Sequence, residues 1–228
     1  MQKTPSIAYN LSGWMDTSPE VRPAVNDNWQ SRRELAAALR RLNTAVLTRD
    51  VPTELLQSVT ATMQAEAARI EANEVVPGTK AQAERNSTQH GQLPDIFYEI
   101  NPASGQSNAI APPMHIWQTD GRVHACVTPS WSYEGPFEHL HGGIIALLFD
   151  QVLGAGQRIT GVAGRTGTLE IRFHHPTLLN KTLHLVAKVD RVVGRKKFMV
   201  GELWADDVRT ASCKGVFISE RNWPDAIA

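Results

Sequence analysis

The sequence predicts an α+β fold: an antiparallel sheet curled around one long apolar helix, with a helical extension in front of it. Three observations lead there. The run 141–150, HGGIIALLFD, sets six apolar residues between a His-Gly-Gly entry and one carboxylate, and a helix that is apolar all round belongs inside a protein. Along 182–193, Leu183, Leu185, Ala187 and Val189 alternate with His184, Val186, Lys188 and Asp190, so one face of a strand is buried and the other partly wet. Finally, the last three strand candidates are joined by connectors too short for the crossovers that parallel pairing requires.

In chain order, residues 1–24 carry Pro5, Pro19 and Pro23 without a clear period, and Ser18-Pro19-Glu20 suits the start of a short helical turn. Over 27–48, Leu35, Leu39, Leu42 and Val46 recur at helical spacing while Arg32, Arg33, Arg40 and Arg41 fall largely elsewhere, the pattern of an amphipathic helix. A second helix is expected from Thr53, placed as N-cap before Glu54, with Leu55, Val59, Met63, Ala67 and Ile70 along one stripe. The short connection at Asp50-Val51-Pro52 predicts that the two pack antiparallel as a hairpin. Residues 75–95 are polar, hold Pro77-Gly78 and read as a linker or surface excursion.

Beyond the linker, strands are expected at 96–100, 114–118 and 122–128, the last two joined by an Asp120-Gly121 hairpin turn. The apolar helix is expected over 141–159, followed by strands at 166–174, 182–193, 197–205 and 210–219. Gly194-Arg195-Lys196 and the segment 206–209 connect the last three. The division that results is an N-terminal arm, helical hairpin and linker over 1–93 and a sheet-and-helix domain over 94–228.

At 228 residues the chain suffices for one substantial core and an appendage. Its 23 basic and 23 acidic residues cancel, so no global charge draws it to nucleic acid or an anionic membrane. Cys126 and Cys213 are its only cysteines, too few for a disulfide framework and without metal-ligand spacing, which predicts a reducing, cytoplasmic setting. No apolar run reaches the roughly 18 residues of a membrane span, and the N-terminus lacks an apolar secretory core. The Asn86-Ser87-Thr88 sequon therefore carries little meaning.

Asp150 stands out chemically, because an ionised carboxylate beside a buried apolar run is costly unless hydrogen-bonded, paired or open to a wet cleft. It is either a structural exception or a working group. Gly142 and Gly143 leave the backbone uncovered at a helix start, where unpaired amides and the positive dipole end polarise a carbonyl oxygen; both also suit simple close packing. Asp150 follows Gly142 by eight residues, about 12 Å of helical rise, too far for both to grip one carbonyl from the same subunit. His174 and His175 are adjacent on a strand and point to opposite faces, a poor arrangement for one metal ion.

The run YEGPFEHLHGGIIALLFDQVLGA, with GTLEIRFHHPTLL, DRVVGRKKF and the NAIAPPM segment, resembles the hotdog-fold acyl-CoA thioesterases, in particular their PaaI-like branch within the 4-hydroxybenzoyl-CoA thioesterase superfamily. The similarity spans roughly 94–220. It implies hydrolysis of an acyl-CoA thioester to a free acid and coenzyme A, with no cofactor and no metal, in an obligatory homodimer or a homotetramer. By that resemblance the Gly142 amide holds the thioester oxygen, and Asp150 comes from across the dimer interface as general base or as nucleophile. Thr166 matches the hydroxyl that orients water, against the alternative of any exposed strand threonine. His141 and Gly143 support the site, and Arg195, Lys196 and Lys197 match a segment near the nucleotide phosphates, or else form a solvated basic turn. The chain departs from the pattern at Glu138, where relatives carry a small residue, at Gly135, where some carry Asn, and at His139.

Two other functions fit the same fold. A hydratase would need an Asp-His pair at the helix opening, whereas Asp150 lies late in the helix. A non-catalytic acyl-CoA-binding or ligand-sensing module would use the same cleft and pass its occupancy to the N-terminal helices. Leu147, Leu148, Phe149 and Trp131 suit an apolar acyl chain or an aromatic ring without fixing its length.

Overall fold

A computed structural model describes residues 17–87 and 93–219; residues 1–16 of the expected arm, and Thr88 of the sequon, lie outside them. The centre is helix α5 (Gly142–Gly156), which buries Ile145, Leu148, Phe149, Val152 and Leu153 in turn around its axis. Six strands wrap it: β1 (His115–Thr119), β2 (Arg122–Val127), β3 (Arg165–Phe173), β4 (Leu183–Val193), β5 (Lys196–Ala205) and β6 (Val208–Ile218). Their order is β1-β2-β4-β5-β6-β3, and every neighbouring pair is antiparallel. The alternation along β4 is realised, with Leu183, Leu185 and Ala187 buried on the helix side.

The sheet approaches the helix this closely because two strand positions carry no side chain. A Cβ on Gly201 would lie 2.6 Å from Leu153 Cδ1, and one on Gly215 would lie 2.8 Å from Leu153 Cδ2. Leu153 fills the space that both leave, so its branched end packs directly onto the backbones of β5 and β6. The two-residue turn at Asp120-Gly121 joins β1 to β2 with both residues at positive φ, 50° and 69°, the backbone that an Asp-Gly hairpin selects.

Four helices precede the sheet: α1 (Asp27–Thr48), α2 (Thr53–Glu71), α3 (Gly78–Ser87) and α4 (Leu93–Ile100). Four expectations are corrected here. Residues 96–100 form the end of α4 rather than a strand: Ile96 and Glu99, three apart, are both 0% exposed, and Ile100 joins Ile96 in a small core with Trp29 and Ala83. β-prone residue types misled, while the spacing of three and four was that of a helix face. Part of the expected linker forms α3, tied to α1 by the Trp29 indole donating to Asn86 Oδ1 at 3.2 Å. The helical hairpin forms as helices but not as a packed pair: α1 turns Trp29 and Ala36 inward, while α2 buries no residue. α1 is committed elsewhere, with Thr44 Oγ1 sharing hydrogen bonds with Ser130 at 3.2 Å and Ser132 at 2.9 Å. At the start of α2 the N-cap position is Pro52, so Thr53 provides no side-chain cap. No helix among the described residues is long and apolar enough to cross a membrane.

Candidate active site

The entry to α5 is built by a folded-back loop. His141 N donates to Tyr133 O at 3.0 Å, Gly135 N to His139 O at 2.9 Å and Leu140 N to Thr177 O at 2.8 Å. The loop tightens at Gly135, where a Cβ would come within 2.7 Å of His141 Cα; a side chain there has no room. Glu138 adopts φ 62°, a left-handed backbone that glycine takes up more readily than glutamate. Its N–H donates to Glu134 Oε1 at 2.7 Å, which helps hold that conformation.

His141 is the N-cap of α5, and its Nδ1 accepts the Gly143 N–H at 2.9 Å. The capping imidazole thus uses one of the orphan amides of the helix start and leaves that of Gly142, for which no acceptor is found among the described residues. Among the described residues, and leaving aside its chain neighbours, a Cβ built on Gly142 would meet Phe173 of β3, at 3.5 Å, and Phe173 is itself 56% exposed.

Two turns down the helix, Asp150 is half-buried and Oδ1 accepts the Thr166 hydroxyl at 2.7 Å. A β-bulge makes this contact possible. Leu169 pairs with Gly215 and Thr166 with Phe217, the pairing shifting register between Thr166 and Thr168. Gly215 and Phe217 face the helix, so the extra residue Gly167 changes the phase of β3 and keeps Thr166 on the same side as Leu169. An unbroken alternation from Leu169 would have put Gly167 there instead. Sequence alone shows the glycine but not the bulge.

Asp150 and Thr166 open onto a cavity of about 300 Å³ whose walls include Phe97, Tyr98, Arg158 and Phe217. Reading the sequence missed Phe97, Tyr98 and Arg158. The first two lay in the segment taken for a strand, and Arg158 follows the apolar run in a 3-10 turn (Gln157–Thr160). The Arg158 guanidinium lies 5.5 Å from the Phe97 ring centre. Burial lowers its pKa to about 10, partly offset by Tyr98, so it remains a cation at neutral pH. Cys213 feels the Asp150 charge, but its thiol is pushed up to about 11, by burial first, which removes it as a thiolate nucleophile.

The basic turn divides. Arg195 Nη1 donates to Ser219 O at 3.1 Å and Lys196 is exposed. Lys197 is not with them: it is 3% exposed, and its ammonium donates inward to Gln157 Oε1 at 2.8 Å and to Val162 O. Strand alternation explains the split, since Lys197 faces opposite to Lys196. Burial first and Arg158 second bring its pKa down to about 8. No group of three or more His, Cys, Asp or Glu side chains among the described residues has the arrangement to hold a metal ion.

The structure therefore joins Asp150 to Thr166 and Gly143 to His141, and leaves these two pairs at opposite stretches of one helix. Comparisons with known proteins agree with this architecture. The family model described as "Thioesterase superfamily" matches residues 137–212, the loop, α5 and most of the sheet. A crystal structure described as protein RHA08564, a thioesterase superfamily protein, is 31% identical, with 90% of this chain and 95% of that one covered and a TM-score of 0.72. The E. coli PaaI protein from the phenylacetic acid degradation operon aligns at 18% identity over 48% of this chain and 80% of its own, with a TM-score of 0.45. A hypothetical thioesterase from Streptococcus pneumoniae TIGR4, solved with coenzyme A, aligns at 18% over 46% and 87%, with a TM-score of 0.44. No curated protein matches the chain. With 31% identity sustained along nearly the whole of both chains, helices before the sheet included, the chain belongs to the thioesterase superfamily and has its hotdog fold.

Proposed function

We propose that the protein hydrolyses an acyl-CoA thioester to a carboxylic acid and coenzyme A, at a site shared by two copies of the chain. The observation that carries this reading is the Thr166–Asp150 hydrogen bond of 2.7 Å at a cavity mouth. Because the hydroxyl donates to Asp150, its lone pairs remain to accept from a water whose other proton faces the carboxylate. Asp150 then acts as general base: the water oxygen attacks the thioester carbon, Asp150 takes the proton, and the tetrahedral oxyanion collapses with loss of the CoA thiolate. The amide that the resemblance assigns to the oxyanion, Gly142, is about 12 Å away along the helix in Asp150's own subunit. A second copy supplies it. β3 supports this, being an edge strand bonded to β6 on one side only, with most of its residues exposed, and an exposed long edge is a template for pairing.

In the dimer so formed, the Gly142 amide of one protomer faces the carbonyl activated beside Asp150 of the other, with His141 capping the helix end and keeping Gly143 in place. Arg195 and Lys196 suit the CoA phosphates as exposed cations on one turn. Cys126 and Cys213 are free thiols, in keeping with a cytoplasmic enzyme. The test is release of free thiol from a panel of acyl-CoAs. The wild type is expected to turn over at least one of them, and Asp150→Asn to lose about 10²- to 10⁴-fold in kcat while still binding acyl-CoA. Full activity in Asp150→Asn, or no thiol release by the wild type, contradicts the reading.

A further inference from the structure

The catalytic cavity is not made by the sheet and α5 alone. α4, the last helix before the sheet, also lines it, bringing Phe97 and Tyr98 to the same cavity of about 300 Å³ as Asp150 and Phe217. α4 is held from behind with unusual firmness. Glu99 is 0% exposed, and its carboxylate receives Arg33 Nε at 3.1 and 3.0 Å, Arg33 Nη2 at 2.6 Å and the Ser107 hydroxyl at 2.5 Å. Arg33 comes from α1 and also donates to Arg22 O at 2.7 Å. Arg22 in turn lies over the Tyr98 ring at 4.7 Å, as Arg158 lies over that of Phe97 at 5.5 Å. Two rings covered by cations and anchored through a buried ion pair form a stiff wall rather than a mobile flap. The cavity it bounds is open on one side, so the wall limits how an acyl chain can run from Asp150 without enclosing it.

We propose that α4 is the acyl-selecting wall of the site, with Phe97 and Tyr98 as its specificity-determining residues, so that long unbranched acyl chains of CoA thioesters crowd against these rings and are taken less well than short ones. The class of acyl group rests on the hydrolytic reading above; the wall itself does not. The last helix before the sheet thereby belongs to the active site, and α1 holds it there through the Arg33–Glu99 pair.

The test is a ladder of saturated acyl-CoAs from acetyl to palmitoyl, assayed for kcat/KM, in parallel with binding of the corresponding non-hydrolysable thioether analogues. The wild type should discriminate against palmitoyl by about tenfold or more relative to butyryl, the scale that a few crowded methylenes set. Phe97→Ala should raise the palmitoyl-to-butyryl ratio by about tenfold, and Phe97→Trp should lower it. Thermal melts establish that each variant is folded. Folded Phe97→Ala with the wild-type ladder overturns the proposal, as does a wild type that takes palmitoyl as well as butyryl. Should the wild type release no thiol at all, hydrolysis fails and the thioether ladder alone still decides the wall.

Discussion

Lys197 shows how the chemistry of one side chain follows from the face on which it falls. Read along the sequence it belongs with Arg195 and Lys196 in a basic turn, yet the pleat sends it inward, where Gln157 and Val162 accept its protons. Its pKa of about 8, against an ordinary 10.5, means that the folded protein releases a proton the unfolded chain still holds between those two values. Stability therefore rises with pH through that window, by up to about 1.4 kcal/mol per pH unit, while below it both states are protonated and the contribution is flat. Urea titrations at stepped pH should show this rise in the wild type and lose it in Lys197→Met. A rise of equal slope in both proteins would assign it to another group. Asp150, by contrast, is half-buried, accepts the Thr166 hydroxyl and lines the cavity.

Among the elements, α5 carries most of the argument, because its two ends do different work. At its start, His141 has φ −60° and ψ 132°, the backbone preferred before a proline, and Gly142 occupies the first helical position, where proline is well tolerated. Gly142→Pro therefore removes the one amide assigned to the oxyanion while keeping the helix. It should lower kcat by about 10²- to 10³-fold with a melting temperature near that of the wild type; retained kcat would move the oxyanion donor elsewhere. The elements also show which parts of the fold could be read in advance. α5, β1, β2 and the last four strands were legible because their apolar periods are long or their turns distinctive, as at Asp120-Gly121. α4 was not, since Ile96, Phe97, Tyr98 and Ile100 are residues that strands favour, and the buried Glu99 that reveals the helix face finds its partner in Arg33, 66 residues earlier. Nor was the β3 bulge, because Gly167 alters the strand phase only through its pairing with β6. Local pattern carries no information about either long-range partner.

For the molecule as a whole, the sheet ends at one side in β1, where His115, Trp117 and His124 stack at 5.5 and 5.6 Å and His115 Nε2 meets Ser18 O at 2.9 Å. The other side ends in β3, which is open. One edge thus meets Ser18 through the His115 ring, and the other is bonded to β6 alone. α2, which buries nothing, shows that the extension also presents surface beyond what a single copy uses. The division between the extension and the hotdog half blurs at α4, whose Ile96 side packs with α1 and α3 and whose Phe97 and Tyr98 line the cavity beside Asp150 and Thr166. In the proposed two-fold dimer each site would take Asp150 from one chain and Gly142 from the other. The most direct measurement is complementation between Asp150→Asn and Gly142→Pro, each nearly inactive alone. Mixed and allowed to exchange subunits, they form hybrid dimers in which one site has both groups intact, so about a quarter of wild-type activity should return. Activity that stays at the level of the separate variants, although hybrid dimers are present by mass, would place both groups in one chain and contradict the shared site.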